Sequence, residues 1–210
     1  MYRKEEYWSK FANTFDEDQV YIVGRDIRQA VIRRLSEESD LGEVVELGCG
    51  RGFFTKAIAV NATQVLATDL SDEMVEAAGT ELKELQNITV QKVDCENTAF
   101  PSEKFDTVVM VNVVHFIENP EKSLQESYRI LKAGGVLLLA DYTGYGMNWF
   151  RMVKMGLRFF KKWGKPPQYA KKRLSPDELG SLVESAGFKV EYVQLIGDNT
   201  KAIYLKGRKK

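Results

Sequence analysis

The sequence predicts an α/β fold: a single doubly wound domain with a mostly parallel seven-stranded sheet, an antiparallel C-terminal hairpin and helices on both faces. Three observations predict it. Short runs rich in Val, Ile and Leu recur along the chain, nearly continuous in apolar residues, as in strands buried on both faces. Segments of helical period separate them, long enough to carry the chain back over the sheet by right-handed crossovers. Near the end of the chain this alternation stops, and two strand-like runs follow each other across a short polar turn.

Taken in order, the first 36 residues carry Tyr7, Trp8, Phe11, Phe15 and Tyr21 and read as a helical cap able to close a pocket. VVEL (44–47) is the first strand and runs into the glycine loop ELGCGRG. QVLATD (64–69) is the second. It leads into SDEMVEAAGTELKEL (71–85), a helix that Ser71 or Asp72 can cap and whose first turn holds Glu73. ITVQKVD (88–94) and FDTVVMV (105–111) are the third and fourth strands. ENPEKSLQESYRILKAGG (118–135) reads as a helix, with Pro120 near its start and Gly134 just past its end. GVLLLADY (135–142) is the fifth strand and completes a core over 40–142. Residues 143–174 form an insertion. Residues 175–210 supply a capped helix, SPDELGSLVESAGF (175–188), then the strands KVEYVQLI and TKAIYLKG joined by GDN.

With 210 residues, of which 44% are hydrophobic and 11% aromatic, the chain can bury one full core. Its 30 basic and 30 acidic residues cancel, so global charge gives no reason to expect a nucleic-acid partner. Cys49 and Cys95 show neither CxxC spacing nor a metal-type cluster, which predicts free thiols, no metal and a cytoplasmic location. The N-terminus lacks the apolar core of a signal peptide, and nowhere do about eighteen apolar residues run together.

Glycine at every second position of ELGCGRG is costly unless backbone must approach a ligand without side chains in the way. A dinucleotide fingerprint needs glycine at position 53, where Phe stands, and a phosphate-binding Walker loop needs a closing Lys that is missing. Glu46 sits two residues before the first glycine. A carboxylate there would repel a pyrophosphate but suits a nucleoside that carries a cationic amine.

These residues resemble the class I S-adenosylmethionine-dependent methyltransferases, in particular the small-molecule group related to the ubiquinone and menaquinone methyltransferases. ELGCGRG is similar to that family's first motif, and VLATDLS, VDCENTAFPSEKFDTVV and RILKAGGVLLLADY are similar to its later ones, in order, over roughly 40–142. The resemblance implies a Rossmann-like fold and S-adenosylmethionine as cofactor. It implies a methionine-end contact at Glu46, Gly48, Cys49, Gly50 and Gly52, and a ribose contact at Asp69, about twenty positions after Gly48. Asp94 and the Cys95 N–H would meet the adenine, with Leu70 and Met74 against its faces and Asn112 as a further contact. Asp69 could instead cap the helix that follows it, and a Met on a helix is more often core.

Methyl transfer from a sulfonium needs alignment more than acid or base, but a protonated nucleophile must lose its proton. His115, the one histidine, and Tyr142 at the end of the fifth strand are the candidates for acceptor contact. Each could equally be structural. The insertion holds a basic amphipathic helix over 147–163, with Arg151, Lys154, Arg158, Lys161 and Lys162 on one face and no acid between Tyr142 and Pro176. It reads first as a lid over a small acceptor, with weak peripheral membrane contact as the alternative. The acceptor, its reacting atom and the oligomeric state stay open. Two other functions also stay open, a catalytically silent S-adenosylmethionine-binding module and a nicotinamide-dependent oxidoreductase.

Overall fold

A computed structural model describes residues 4–168, 170 and 174–210, and in it the apolar runs of the sequence become one seven-stranded sheet. The strands are β1 (Gly42–Leu47), β2 (Ala62–Asp69), β3 (Ile88–Lys92), β4 (Phe105–Val111), β5 (Leu131–Thr143), β6 (Lys189–Ile196) and β7 (Lys201–Arg208). Their spatial order is β3-β2-β1-β4-β5-β7-β6. All pairings among β1 to β5 are parallel, and β7 runs antiparallel between β5 and β6. The second strand of the predicted hairpin therefore inserts into the sheet, and the first becomes its edge.

The helices are α1 (Lys4–Ser9), α2 (Phe15–Val23), α3 (Arg25–Ser36), α4 (Thr55–Ala59), α5 (Asp72–Leu82), α6 (Pro120–Ile130), α7 (Trp149–Trp163) and α8 (Pro176–Ser185). They cover both faces of the sheet, because strands apolar on both sides must be buried on both sides. On β5, Leu138, Ala140 and Tyr142 face one core with Ile27, Val31 and Leu35 of α3. Leu137 and Leu139 face the other with Leu124 of α6 and Leu179 and Val183 of α8. Local chemistry sets the helix starts. Ser71 Oγ accepts from the Met74 N–H (3.2 Å) at the head of α5. At α8, Ser175 and Glu178 cap reciprocally, at 3.2 and 2.7 Å.

Two boundaries differ from expectation. The helix expected over 118–135 ends at Ile130, and β5 starts at Leu131, which is fully buried and pairs with Phe105. The register then jumps, so that Thr107 pairs with Val136, and Gly134 (φ 74°) lies in the resulting bulge instead of ending a helix. Burial of Leu131 outweighs another helical turn. The strand expected over 88–94 ends at Lys92, which frees Asp94 to form a turn whose Oδ1 accepts from the Glu96 N–H at 2.9 Å. Of the expected N-terminal cap, residues 1–3 lie outside the described residues, as do 169 and 171–173 of the expected insertion.

From β1 the chain winds through β2 to β3 and then returns to β1's other side with β4. The strand order thus reverses between β1 and β4, and in such sheets ligands lie in the crevice beyond the carboxyl ends at that point.

Candidate functional site

The glycine loop leaves β1 at this crevice. The N–H groups of Gly48 and Cys49 both donate to Thr68 O at 2.8 Å, and the Gly50 N–H donates to Asp69 Oδ2 at 2.9 Å. Gly48 has a φ of 81°, and a Cβ there would lie 2.6 Å from Val113 Cγ2. At Gly50 (φ 55°) the nearest atom to such a Cβ is Cε1 of Phe15, at 3.3 Å, so the loop faces an aromatic wall across a narrow gap. Asp69 is held on both oxygens, since its Oδ1 accepts from the Ser71 N–H at 3.0 Å. Burial pushes its carboxyl up from the usual carboxylate range, against the hydrogen bonds from Ser71 and Gly50. Ser71, not Asp69, caps α5.

Gly48, Cys49 and Gly50 line the cleft together with Asp69, Leu70 and Met74. Asp94 and Cys95, after β3, and Asn112, after β4, line it as well. The Cys95 thiol is pushed up to about 12 by burial. Asn112 has a φ of 57°, donates its N–H to Ala140 O at 2.6 Å, and has a buried Oδ1 with no hydrogen-bond partner among the described residues. Two expected residues do not line the cleft. Gly52 turns beneath the loop against Leu82, and Glu46 lies behind it, 1% exposed, with Thr55 Oγ1 donating to its Oε2 at 2.5 Å. Burial pushes the Glu46 carboxyl up to about 7, with the Asp69 charge adding and the Thr55 hydrogen bond opposing.

Sequence reasoning missed other lining residues. Arg28 of α3 is buried, donates to Asp16 Oδ1 (2.5 Å) and Asp16 O (2.8 Å), and lies 3.6 Å over the Phe53 ring. Glu96, also buried, accepts from Asn119 Nδ2 at 3.0 Å. The acids Asp16, Asp69, Asp94, Glu96 and Glu118 line the cleft against Arg28 and Arg51, and this excess of negative charge favours a cationic ligand. Trp8 and Phe15 close the cleft from the N-terminal side.

A second cavity, about 790 Å³, opens between the end of β5 and α7. His115, in a single helical turn after β4, lines it with Phe116, Tyr145, Met155 and Phe159. His115 Nδ1 lies 2.6 Å from Asp141 Oδ1, and the His115 N–H donates to Asp141 Oδ2 at 3.2 Å. A carboxylate oxygen accepts, so the ring donates to Asp141 from Nδ1. Tyr142 lines neither cavity. It is 2% exposed in the core with Leu138 and Ala140, because alternate residues of β5 face opposite sides of the sheet. Its neighbour Asp141 is the β5 residue that meets His115.

Phe116 borders both cavities and packs 4.6 Å from Trp8, which is 5.4 Å from Trp163 of α7. Trp163 is anchored in turn by Asp18, to which its Nε1 donates at 3.2 Å. An aromatic wall thus separates an acid-lined cleft from an apolar chamber.

Residues 45–139 match the family model described as a methyltransferase domain. An uncharacterised protein of Methanocaldococcus jannaschii is 26% identical over 187 residues, 88% of this chain and 80% of that protein. The chloroplastic 2-methyl-6-phytyl-1,4-hydroquinone methyltransferase 2 of Oryza sativa is 29% identical over 141 residues, 65% of this chain but 40% of its own length. Residues 45–139 thus carry a methyltransferase domain, which with these relatives supports a class I S-adenosylmethionine-dependent methyltransferase. The methyltransferase shares its fold with a Thermotoga maritima protein described as a SAM-dependent methyltransferase, with a TM-score of 0.74 at 23% identity over 99% of this chain and 100% of that one.

The cleft of the methyltransferase fits S-adenosylmethionine on three observations. Acids outnumber arginines around it, as a sulfonium and an ammonium require. At Gly48 and Gly50 the loop presents backbone without side chains. Asn112 Oδ1 is a buried acceptor still in want of a donor. Among the described residues, no helix is long and apolar enough to cross a membrane.

Proposed function

We propose that the methyltransferase binds S-adenosylmethionine in the glycine-loop cleft and methylates a small apolar acceptor in the second cavity. The observation that carries this reading is the shared wall at Phe116, which sets the acid-lined cleft directly beside a chamber lined by His115 and by Met and Phe side chains. Asp69 would accept from the ribose hydroxyls, since each of its oxygens keeps acceptor capacity beyond its one backbone bond. Asp94 and the Cys95 N–H would meet the adenine, with Leu70 and Met74 at its faces. Glu46, behind the loop, would complement the ligand's positive end. Asn112 Oδ1 would accept from its ammonium group, and Arg28 would balance its carboxylate.

When bound, the cofactor supplies a methyl group already activated as a sulfonium, so alignment and exclusion of water account for most of the rate. Trp8, Phe15 and Phe116 exclude that water. His115 takes the acceptor's proton at Nε2, and Asp141 steadies the resulting imidazolium through Nδ1. The name of the rice relative specifies a prenylated hydroquinone, an apolar ring bearing hydroxyls, and a chamber of this lining suits that kind of molecule.

The test is incubation of the protein with S-adenosylmethionine and small-molecule cell extract, followed by mass analysis. The expected result is a product heavier by one methyl group, formed in equal amount to S-adenosylhomocysteine. Absence of both across polar and apolar extracts, in a protein that binds the cofactor, would show a silent binding module instead.

A further inference from the structure

α7 lies over the second cavity, yet much of its apolar surface is not used there. Ten large apolar side chains are exposed among the described residues, and seven of them lie between Tyr145 and Phe160. Trp149, Phe150, Val153, Leu157 and Phe160 fall within an arc of roughly 100° at helical pitch. Phe150 is 65% exposed and Leu157 66%. The inward face is separate: Met155 and Trp163 are buried, and Phe159 packs on Trp163 at 5.2 Å. Surface apolar residues scattered singly are ordinary, but a continuous aromatic stripe on one helix marks a contact surface.

The charge beside the stripe says what it contacts. Arg151, Lys154 and Lys161 are exposed along its flank, Lys165 lies just beyond the helix, and no acid occurs between Tyr142 and Pro176. Of the helix's basic residues, Lys162 is engaged by Asp18 (2.7 Å), and Arg158 stands 5.2 Å from the Tyr21 ring. Lys161 lies 5.9 Å from the same ring, and Arg151 and Lys154 are exposed, in a chain whose charges cancel overall. An apolar arc with Trp at its end and cations along its edge matches a helix lying in the plane of an anionic bilayer, with rings and aliphatic chains among the acyl tails and ammonium groups at the phosphates.

We propose that α7 docks the methyltransferase on anionic membrane surface. Tyr145, Met152 and Phe160 belong both to the exposed apolar surface and to the lining of the second cavity, so the docked face includes the cavity's rim. A lipid-dissolved acceptor would enter from the bilayer without crossing water. Docking itself needs no acceptor, so it stands or falls separately from the methyl-transfer reading.

The experiment is co-sedimentation of the full chain with phosphatidylcholine vesicles, with and without equimolar phosphatidylglycerol, at low salt. The expected result is at least tenfold stronger binding to the anionic vesicles, largely lost in salt of about 0.5 M, where charges are screened within about 4 Å. Emission of the exposed Trp149 should shift to shorter wavelength on binding. Phe150→Asp with Leu157→Asp, at two exposed positions outside the cavity lining, should lower binding at least tenfold while thermal unfolding and S-adenosylmethionine affinity stay unchanged. Lys154→Glu should cost about fivefold or more. Absence of binding to anionic vesicles at low salt overturns the proposal, as does a double Asp variant that binds as well as the parent. So does a parent dimer in sedimentation velocity that the double variant converts to monomer, since a second copy would then cover the stripe.

Discussion

Replacing Glu46 by Gln isolates the electrostatic cost of the glycine loop. The carboxyl is enclosed between the loop and α4, with Thr55 donating to it, and burial raises it from 4.5 to about 7. At about 1.4 kcal/mol for each pH unit, this corresponds to about 3 kcal/mol. In the unfolded chain Glu46 ionises near its ordinary value, whereas in the folded chain it holds its proton to higher pH. Between these values the folded state binds more protons than the unfolded state, so stability falls as pH rises from about 4.5 to about 7 and is level beyond. Gln does not titrate, yet its carbonyl can still accept from Thr55. The expected outcome, from urea unfolding of the ligand-free proteins at pH 4.5 and pH 8, is that Glu46→Gln gains about 3 kcal/mol on the parent between the two pH values. The same variant should bind S-adenosylmethionine more weakly at pH 8, because a charge that complements the cation is gone. A stability difference constant across this range would refute the burial argument. Unchanged affinity would remove Glu46 from the cofactor site.

Gly52→Ala should cost about 1–3 kcal/mol in unfolding free energy, since its Cβ would lie 2.5 Å from Leu82 Cδ1 at a φ of 84°. Adding Leu82→Ala should relieve none of the backbone part, so a double variant with parental stability would contradict the strain. Asp141→Asn should lower turnover by about 10- to 100-fold and move its pH profile while leaving S-adenosylmethionine affinity alone, because it acts through the His115 tautomer. An unaltered pH profile would make the pair merely structural.

The parts of the site legible in the sequence were those written in short stretches at the ends of strands. ELGCGRG carries its own reason, an acid followed by alternating glycines after a buried strand, and the structure puts Gly48 and Gly50 in the cleft with Asp69 bonded to the loop. Asp94, Cys95 and Asn112 line the cleft because each directly follows or ends a run readable as a strand. What failed depended on tertiary partners. Alternation along β5 shows that Asp141 and Tyr142 face opposite ways, but only the packing of His115 against β5 decides which side holds the site. Arg28 sits in a helix among other arginines, and nothing local distinguishes the one stacked on Phe53. Gly134 looked like a helix end because Gly after a helical run usually is one. The buried pairing of Leu131 with Phe105, distant in sequence, shortened the helix instead.

On this reading the two cavities divide the work, with cofactor at the glycine loop and acceptor beside His115. Titration calorimetry of S-adenosylhomocysteine on Asp69→Ala and His115→Gln, each confirmed folded, tests it most directly. Asp69→Ala should weaken binding by about 1–3 kcal/mol, from the loss of an acceptor in a closed cleft, while His115→Gln should bind like the parent. Parental affinity in Asp69→Ala, or an equal loss in His115→Gln, would contradict that division.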